Sequence, residues 1–257
     1  MKGDVLLNVE NLTRHFGGVK AVNGISFDVR KGEVFTLIGP NGAGKTTVFN
    51  LISRLYPPTS GRILFKGQEI SRLPAHAMAR LGIARTFQNI ELFEYASVLQ
   101  NLLIGRHTHL QHSLWREMLF TSRVREQERA ARLKVEEVID FLNLQPYRDT
   151  LVAGLPYGVR KIVELARALA CEPELLLLDE PSSGLNVEET TDLAFWIADI
   201  TQQLGITVLM VEHDMSLVGR ASTRVLAMHH GEKLALGTPE EVQRDPAVVE
   251  SYLGAAQ

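Results

Sequence analysis

The feature that most constrains this chain is a glycine-rich segment, Gly39-Pro40-Asn41-Gly42-Ala43-Gly44-Lys45-Thr46-Thr47, which fits the pattern G-x-x-x-x-G-K-S/T without a gap. It follows the apolar run Val34–Ile38 and precedes Val48–Ile52, so the sequence predicts a buried strand, a tight loop and a helix. Glycines let the loop backbone N–H groups point inward at the positive end of the helix dipole, an arrangement that binds polyphosphate. We expect Lys45 to reach the phosphates and the Thr46 hydroxyl to ligate Mg²⁺. The alternative, a glycine-rich turn with a surface lysine, is disfavoured because the motif is complete.

Length and charge limit the classes of protein to consider. With 257 residues the chain can form one large α/β domain that carries a smaller subdomain. Its 27 Lys and Arg against 30 Asp and Glu leave a net charge of −3, so nucleic acid is not an expected partner. The single cysteine, Cys171, excludes an intrachain disulfide and fits a reducing compartment. No apolar stretch approaches the roughly 18 residues of a membrane span, and we expect a soluble chain that could still have a membrane-bound partner.

Hydrophobic periodicity divides the chain into three stretches. Short strands at Val5–Leu12, Gly24–Val29 and Arg62–Phe65 predict antiparallel structure beside the nucleotide-binding core. From Asn89 to about Leu144 the pattern becomes helical, which predicts a second subdomain. After Leu155, apolar strands alternate with helices, which is typical of a parallel sheet.

Individual helices can also be placed. Ser97 and Gln100 form a capping box that opens a helix ending near Ile104. Arg123–Phe141 carries Leu133, Val138 and Phe141 among many charges and predicts an amphipathic helix packed on one side. We also expect a short helix at Pro74–Leu81 and a strand from Ile83 to Phe87.

Polar residues follow several of the apolar strands. Asp179 and Glu180 come directly after Leu175–Leu178, at the edge where a parallel sheet binds its ligands. We expect Asp179 to organise Mg²⁺ and Glu180 to orient and deprotonate the water that attacks the γ-phosphate. Gln88 can touch Mg²⁺ or that water, and His213 can hydrogen-bond the γ-phosphate as a polar sensor. The alternatives are purely structural roles: the two acids could cap a loop, the glutamine could lie at the surface, and the histidine could be structural.

Three histidines between the predicted helices invite a second interpretation. His107, His109 and His112 lie close together in sequence, which suggests a metal site. No Cys or carboxylate stands at ligand spacing, however, and a polar loop explains them equally well. We therefore favour the loop.

This set of motifs resembles the ATP-binding subunit of an ATP-binding-cassette (ABC) transporter. Gly39–Thr47 matches the family's Walker A motif, Gln88 the Q-loop, Asp179 and Glu180 the Walker B motif with its catalytic glutamate, Ser182–Asn186 the D-loop, and His213 the H-loop. Phe16 stands where the family stacks an aromatic ring on adenine. The resemblance implies ATP and Mg²⁺ as cofactors and one domain over residues 1–257. Residues 1–88 and 156–257 would form the P-loop NTPase core with its N-terminal antiparallel β-subdomain, and 89–155 the inserted α-helical subdomain.

The family signature, Leu-Ser-Gly-Gly-Gln, is present only as Leu155-Pro156-Tyr157-Gly158-Val159. In the family this loop faces the γ-phosphate bound to the opposite subunit of a head-to-tail dimer. Pro156 removes the serine hydroxyl and Val159 the glutamine amide, which leaves the Gly158 N–H and the dipole of the following helix. We expect weaker activation across the dimer unless a group such as Arg160 compensates.

Within the family, the chain looks like the ATPase of branched-chain amino-acid importers. This rests on the long segment after Gly105, the signature tyrosine, Val211–Met215 and the endings Leu236–Glu241 and Ser251–Gly254. The resemblance implies a second ATPase subunit, identical or paralogous, transmembrane permease subunits and an extracytoplasmic binding protein, with the chain on the cytoplasmic face of the inner membrane. Lipopolysaccharide-export ATPases share the closing Tyr-Leu-Gly, and a soluble cassette ATPase or a poorly hydrolysing regulatory binder are further alternatives.

An apolar cluster near the predicted Q-loop is the expected surface for coupling to the membrane partner. Its members are Phe87, Ile90, Leu92, Phe93 and Tyr95. Packing between the two subdomains is the alternative, because exposure cannot be determined from sequence.

Overall fold

The computed structural model describes residues 4–86, 90–106 and 122–253, which form two β-sheets with helices packed around them. The strands are β1 (Val5–Phe16), β2 (Val19–Arg30), β3 (Val34–Ile38), β4 (Ser60–Phe65), β5 (Gln68–Glu69), β6 (Ile83–Arg85), β7 (Leu175–Asp179), β8 (Thr207–Val211), β9 (Arg224–His229) and β10 (Glu232–Gly237). The helices are α1 (Lys45–Ile52), α2 (Ala77–Leu81), α3 (Val98–Gly105), α4 (Ser122–Phe141), α5 (Tyr157–Leu169), α6 (Val187–Leu204), α7 (Met215–Ala221), α8 (Pro239–Arg244) and α9 (Pro246–Leu253).

The larger sheet has six strands in the order β10-β9-β3-β8-β7-β6. Its strands are parallel except for β10, which forms an antiparallel hairpin with β9. Every residue of β3, β7 and β8 is buried, so both faces of the sheet are covered. The expected α/β fold with a mainly parallel sheet is confirmed.

Alternate residues of β7 contribute to two different cores, because successive side chains of a strand point to opposite faces. Leu175 and Leu177 pack with apolar residues of α1 and the antiparallel strands. Leu176 and Leu178 pack with residues of α3, α4 and α5. The central sheet therefore joins the antiparallel strands on one side to the helical layer on the other, and the end of β7 lies between them.

The smaller sheet is antiparallel, with strand order β2-β1-β4-β5, as expected for an N-terminal β-subdomain. Its first hairpin is longer than the sequence predicts, since β1 continues to Phe16 and β2 begins at Val19. Register shifts between Leu12 and His15 interrupt the alternation of the strand pair. That irregularity explains why the period-two pattern ended at Leu12.

The helical layer contains α3, α4 and α5. Ser97 caps α3 with the predicted reciprocal capping box to Gln100, which is confirmed. The predicted amphipathic helix is present as α4, but its buried face is formed by Ala131, Val135 and Ile139 at i, i+4 spacing. Leu133 is 56% exposed, so its assignment to the packed face was wrong.

Two boundaries also differ from the sequence predictions. α2 begins at Ala77, three residues after Pro74, and a turn bonded from Ala77 N–H to the Pro74 carbonyl precedes it. β6 ends at Arg85, and Phe87 lies outside the described residues. Within the described ranges, no helix is long and apolar enough to cross a membrane.

Candidate nucleotide-hydrolysis site

The segment Gly39–Thr47 forms a tight loop between the end of β3 and the start of α1. Gly39 and Gly44 both have positive φ, 149° and 98°. A Cβ at Gly39 would lie well under 3.0 Å from the Met228 carbonyl oxygen, and one at Gly44 equally close to the Ala21 carbonyl oxygen. Only glycine fits at these two positions, because both the backbone conformation and the neighbouring backbone exclude a side chain.

Backbone hydrogen bonds also hold this loop against neighbouring elements. The Gly231 N–H donates to the Ala43 carbonyl at 3.0 Å, and the Asn23 N–H donates to the Gly231 carbonyl at 2.8 Å. A third bond, from the Ala43 N–H to the Pro40 carbonyl at 3.1 Å, closes the loop on itself. These bonds tie the loop to β2 and to the turn between β9 and β10, so it is shaped before any ligand binds.

Lys45 is buried at the first position of α1, and its ammonium lies across the loop. Nζ donates to the carbonyl oxygens of Gly39 at 2.7 Å and Pro40 at 3.0 Å. Burial lowers the pKa of Lys45, whereas the carboxylates of Glu180 and Asp179 oppose that shift by raising it. The positive charge is therefore poorly hydrated and lies within electrostatic reach of both acids, while Asn41, Gly42 and Thr46 are exposed at the loop surface.

Asp179 is the last residue of β7 and is buried. Its Oδ2 accepts a hydrogen bond from an Arg85 nitrogen at 2.7 Å. Its Oδ1 is also buried and, within the described part of the chain, has no hydrogen-bond partner. A carboxylate oxygen left in this state fits Mg²⁺ or one of its waters, since Mg²⁺ prefers oxygen ligands and retains part of its hydration shell.

Glu180 directly follows Asp179 in a left-handed backbone conformation, with φ of 48°. Its N–H donates to the Val211 carbonyl at 3.0 Å, which continues the β7–β8 pairing beyond the end of β7. Non-glycine residues rarely adopt this conformation, and those that do cluster at functional sites. The backbone therefore turns sharply at Glu180 and separates the direction of its side chain from that of Asp179.

His213 lies just beyond β8, and its Nδ1 is 3.8 Å from Glu180 Oε2. The loop that carries it is held by Glu212, which is fully buried. Glu212 Oε2 accepts from the N–H groups of His213 at 2.9 Å and Asp214 at 3.2 Å, and Oε1 accepts from Ser182 N–H at 2.9 Å. Glu212 thus ties the loop after β7 to the loop after β8, a role that sequence analysis missed.

Phe16 lies at the tip of the first hairpin and is 40% exposed. Its ring contacts the Tyr56 ring edge-on at 5.3 Å, and the Arg14 guanidinium lies 4.6 Å from the Phe16 ring centre. Arg14 also donates to the Pro57 carbonyl at 2.9 Å. The aromatic residue expected to contact adenine is therefore part of a three-residue platform, and its two partners were not predicted.

The signature segment starts α5. Leu155 is buried, whereas Pro156 is exposed at the N-cap position and provides no side-chain cap. The Tyr157 hydroxyl donates to the Ser183 carbonyl at 3.3 Å, and the Tyr157 ring lies against Gly184. Gly158 lies against the Glu189 carboxylate of α6, and a Cβ there would force the Glu189 side chain to move.

Comparison with known proteins identifies the family. The model of the family described as ABC transporter matches residues 22–183. The chain belongs to the ABC transporter family. A second family model, branched-chain amino acid ATP-binding cassette transporter, matches residues 232–257.

Curated relatives of this ABC ATPase align along almost its whole length. The high-affinity branched-chain amino acid transport ATP-binding protein BraF of Pseudomonas aeruginosa is 41% identical, over 98% of this chain and 98% of its own. LivG of Escherichia coli K12, with the same description, is 39% identical at 98% and 98% coverage. A crystal structure of the ADP conformation of an ABC transporter cassette superposes with a TM-score of 0.85, at 31% identity, covering 97% of this chain and 99% of that one.

The ABC fold brings most of the predicted site residues to one edge of the parallel sheet. The Walker A loop, Asp179, Glu180 and His213 all follow neighbouring strands of that sheet, β3, β7 and β8. Gln88 lies outside the described residues, as do His107, His109 and His112, so their predicted roles stay predictions. Val159 is partly buried and packs against the helical core.

Proposed function

We propose that this chain is the ATP-hydrolysing subunit of an importer of branched-chain or related amino acids. The observation that carries the ATPase assignment is the placement of the Lys45 loop, the unpartnered Oδ1 of Asp179 and the Glu180–His213 contact at the same ends of neighbouring strands. The substrate class is supported by the relatives, whose names specify high-affinity branched-chain amino acid transport. The C-terminal family match at residues 232–257 supports the same class.

In this function, Lys45 and the loop N–H groups bind the phosphates, and ligand oxygens replace the Gly39 and Pro40 carbonyls as partners of the ammonium. Thr46 and Asp179 would hold Mg²⁺, which neutralises charge on the phosphate oxygens when bound. Glu180 orients the attacking water and accepts its proton, while His213 hydrogen-bonds the terminal phosphate. Gln88 is assigned to the metal or that water, and Phe16 to the adenine ring.

We further propose that a second ATPase subunit, identical or paralogous, completes the site. The signature segment supports this, since Pro156 and Tyr157 are exposed at the start of α5 and not at the strand ends that carry the phosphate loop, Asp179 and His213. The N-terminus of α5, near the Gly158 N–H, would present its positive dipole to the terminal phosphate on the other subunit. Pro156 and Val159 offer no side-chain donor there, which supports the expectation of weaker activation across the dimer.

A permease would dock on the segment that precedes α3. Phe93 is 56% exposed and Tyr95 is 89% exposed, whereas Leu92 packs against the helical core. The buried Asn101 side chain accepts from the Phe93 N–H at 2.9 Å and donates to the Phe93 carbonyl at 3.1 Å. This segment is therefore an apolar projection anchored at Phe93 by Asn101, and membrane association of the chain through it is part of the proposal.

Uptake of radiolabelled leucine tests the function in cells of the source organism that lack this chain. Wild-type protein supplied in trans should restore leucine uptake, whereas Glu180→Gln should not. Glu188→Gln, an exposed acid in the first turn of α6, is the matched control and should restore uptake. Normal leucine uptake in the deleted cells would contradict the substrate assignment. The double variant Phe93→Ala, Tyr95→Ala should reduce uptake while ATP binding stays intact. Leu133→Ala is its control, because Leu133 is as exposed as Phe93, and it should change neither uptake nor ATP binding.

A further inference from the structure

Arg85, the last residue of β6, has a side chain that is only 9% exposed and joins three elements around the proposed metal site. One terminal nitrogen, Nη1, donates to Asn50 Oδ1 at 2.7 Å and Ser53 Oγ at 2.8 Å, both in or next to α1. The other, Nη2, donates to Asp179 Oδ2 at 2.7 Å. The guanidinium carbon lies 5.7 Å from the centre of the Phe49 ring.

These contacts connect the two elements that carry the proposed metal ligands. α1 begins with Lys45 and Thr46, and β7 ends with Asp179. Because a guanidinium is planar and rigid, bonds from its two ends fix the carboxylate relative to the helix. A lysine at this position would keep the charge but could not supply donors to both elements in a fixed geometry.

Arg85 also distinguishes the two oxygens of Asp179. Oδ2 is engaged by the arginine, whereas Oδ1 is buried without a hydrogen-bond partner in the described part of the chain. A buried polar atom in this state is uncommon in proteins and calls for a ligand or an ordered water. Groups that hydrogen-bond a ligating carboxylate orient it, and their loss weakens metal binding.

We propose that Arg85 is a positioning residue that holds Asp179 by Oδ2 and so presents Oδ1 to hydrated Mg²⁺. The proposal rests on the proposed function, because it assigns Asp179 to the metal. It adds a residue that acts through Asp179 and does not touch the nucleotide.

The test measures how strongly Mg²⁺ tightens nucleotide binding. The affinity of the purified full chain for a fluorescent ATP analogue is determined in Mg²⁺ and in EDTA. The dissociation constant in EDTA divided by that in Mg²⁺, called the Mg²⁺ ratio, is compared among variants. Arg85→Met should lower this ratio about tenfold, close to Asp179→Asn, with little change of affinity in EDTA. The double variant should be no lower than Asp179→Asn alone, because both substitutions remove the same interaction.

Arg224→Met is the matched control for loss of a partly buried, ion-paired arginine. Arg224 pairs with Glu33 at 3.1 Å and Asp28 at 3.2 Å and lies 5.2 Å from the Phe35 ring centre, at the opposite end of the sheet strands. Arg224→Met should lower the melting temperature but leave the Mg²⁺ ratio unchanged. An Arg85→Met protein that melts lower with an unchanged ratio would show a structural role only and overturn the proposal, as would an increased ratio.

Two further arms keep the test decisive. If Arg85→Met does not fold, Arg85→Lys should still lower the ratio, and an unchanged ratio in that variant overturns the proposal. Wild-type protein reports on the proposed function itself. If Mg²⁺ does not alter wild-type affinity, the metal assignment fails and this inference fails with it, an outcome visible without any variant.

Discussion

The Walker A loop and the signature segment are held in place by different kinds of contact. Gly39 and Gly44 of the Walker A loop lie against backbone carbonyls, and the Ala43 carbonyl is bonded to the Gly231 N–H. The signature segment depends on side chains, with Tyr157 bonded to the Ser183 carbonyl and Gly158 packed against Glu189. The Walker A loop is held against strands of both sheets, whereas the signature segment lies at the protein surface.

This difference explains where the chain tolerates departures from its family. A side chain added at Gly39 or Gly44 would collide with backbone of β9 or β2, which cannot move without disturbing those strands. Pro156 is exposed, and α5 still begins at Tyr157 although proline stands at the N-cap position in place of the family's serine. The half of the site that we propose binds phosphate is therefore fixed by the fold, whereas the half that we propose is offered to a second subunit can vary in strength.

The largest effect is expected from a side chain in the Walker A loop. Gly44→Ala adds a Cβ that meets the Ala21 carbonyl, whereas Gly42→Ala, also at positive φ, meets nothing within 4 Å. Gly42→Ala should cost about 1–2 kcal/mol from conformation alone, and Gly44→Ala should cost more and abolish ATP binding. Urea unfolding and nucleotide titration measure the two effects. Equal destabilisation by both substitutions would mean that the loop is not fixed by its neighbours.

A smaller effect is expected in the signature segment. Pro156→Ser restores a hydroxyl at the N-cap of α5 and should raise ATP turnover about tenfold, because a charge-assisted hydrogen bond contributes about 1.5–3 kcal/mol. Turnover of the assembled ATPase measures this. Pro146→Ser, an exposed proline in the Gln145–Tyr147 turn, is the control and should leave turnover unchanged. Identical rates for wild type and Pro156→Ser would contradict the interpretation of the signature.

The smallest effect is expected from the contact between signature and D-loop. Tyr157→Phe removes one partly exposed hydrogen bond and should lower the free energy of unfolding by about 0.5–1.5 kcal/mol, with ATP binding unchanged. Tyr95→Phe, at a fully projecting tyrosine, should not alter stability. A loss of ATP binding in Tyr157→Phe would show that the two regions are not independent.

The sequence predicted the elements whose signal is local. The Walker A loop, the buried strand before Asp179 and the Ser97 capping box each lie within a few consecutive residues, and the structure places them as expected. Arg85, Glu212 and Tyr56 were missed, because their importance comes from partners distant in sequence. Arg85 and Asp179 are 94 residues apart, and Ser182 and Glu212 are 30 apart. No periodic pattern encodes such pairings.

Exposure was the other quantity that sequence could not supply. Leu133 was assigned to the packed face of α4, although the i, i+4 series at Ala131, Val135 and Ile139 was available and is the buried one. Conversely, the apolar cluster before α3 divides into Leu92, which packs, and Phe93 and Tyr95, which project. Apolar character alone does not distinguish a core residue from a docking surface.

In the proposed function one chain holds a phosphate-binding half-site, and the most direct test is the dependence of ATP turnover on the second subunit. ATP binding and turnover per chain are measured over a wide range of protein concentration, with this chain alone and with a paralogous ATPase added. Binding per chain should be independent of concentration, because the Walker A loop is preformed, and turnover should rise with the second subunit and then saturate. Turnover per chain that is the same at high dilution as in the assembled state would contradict a site completed by a partner.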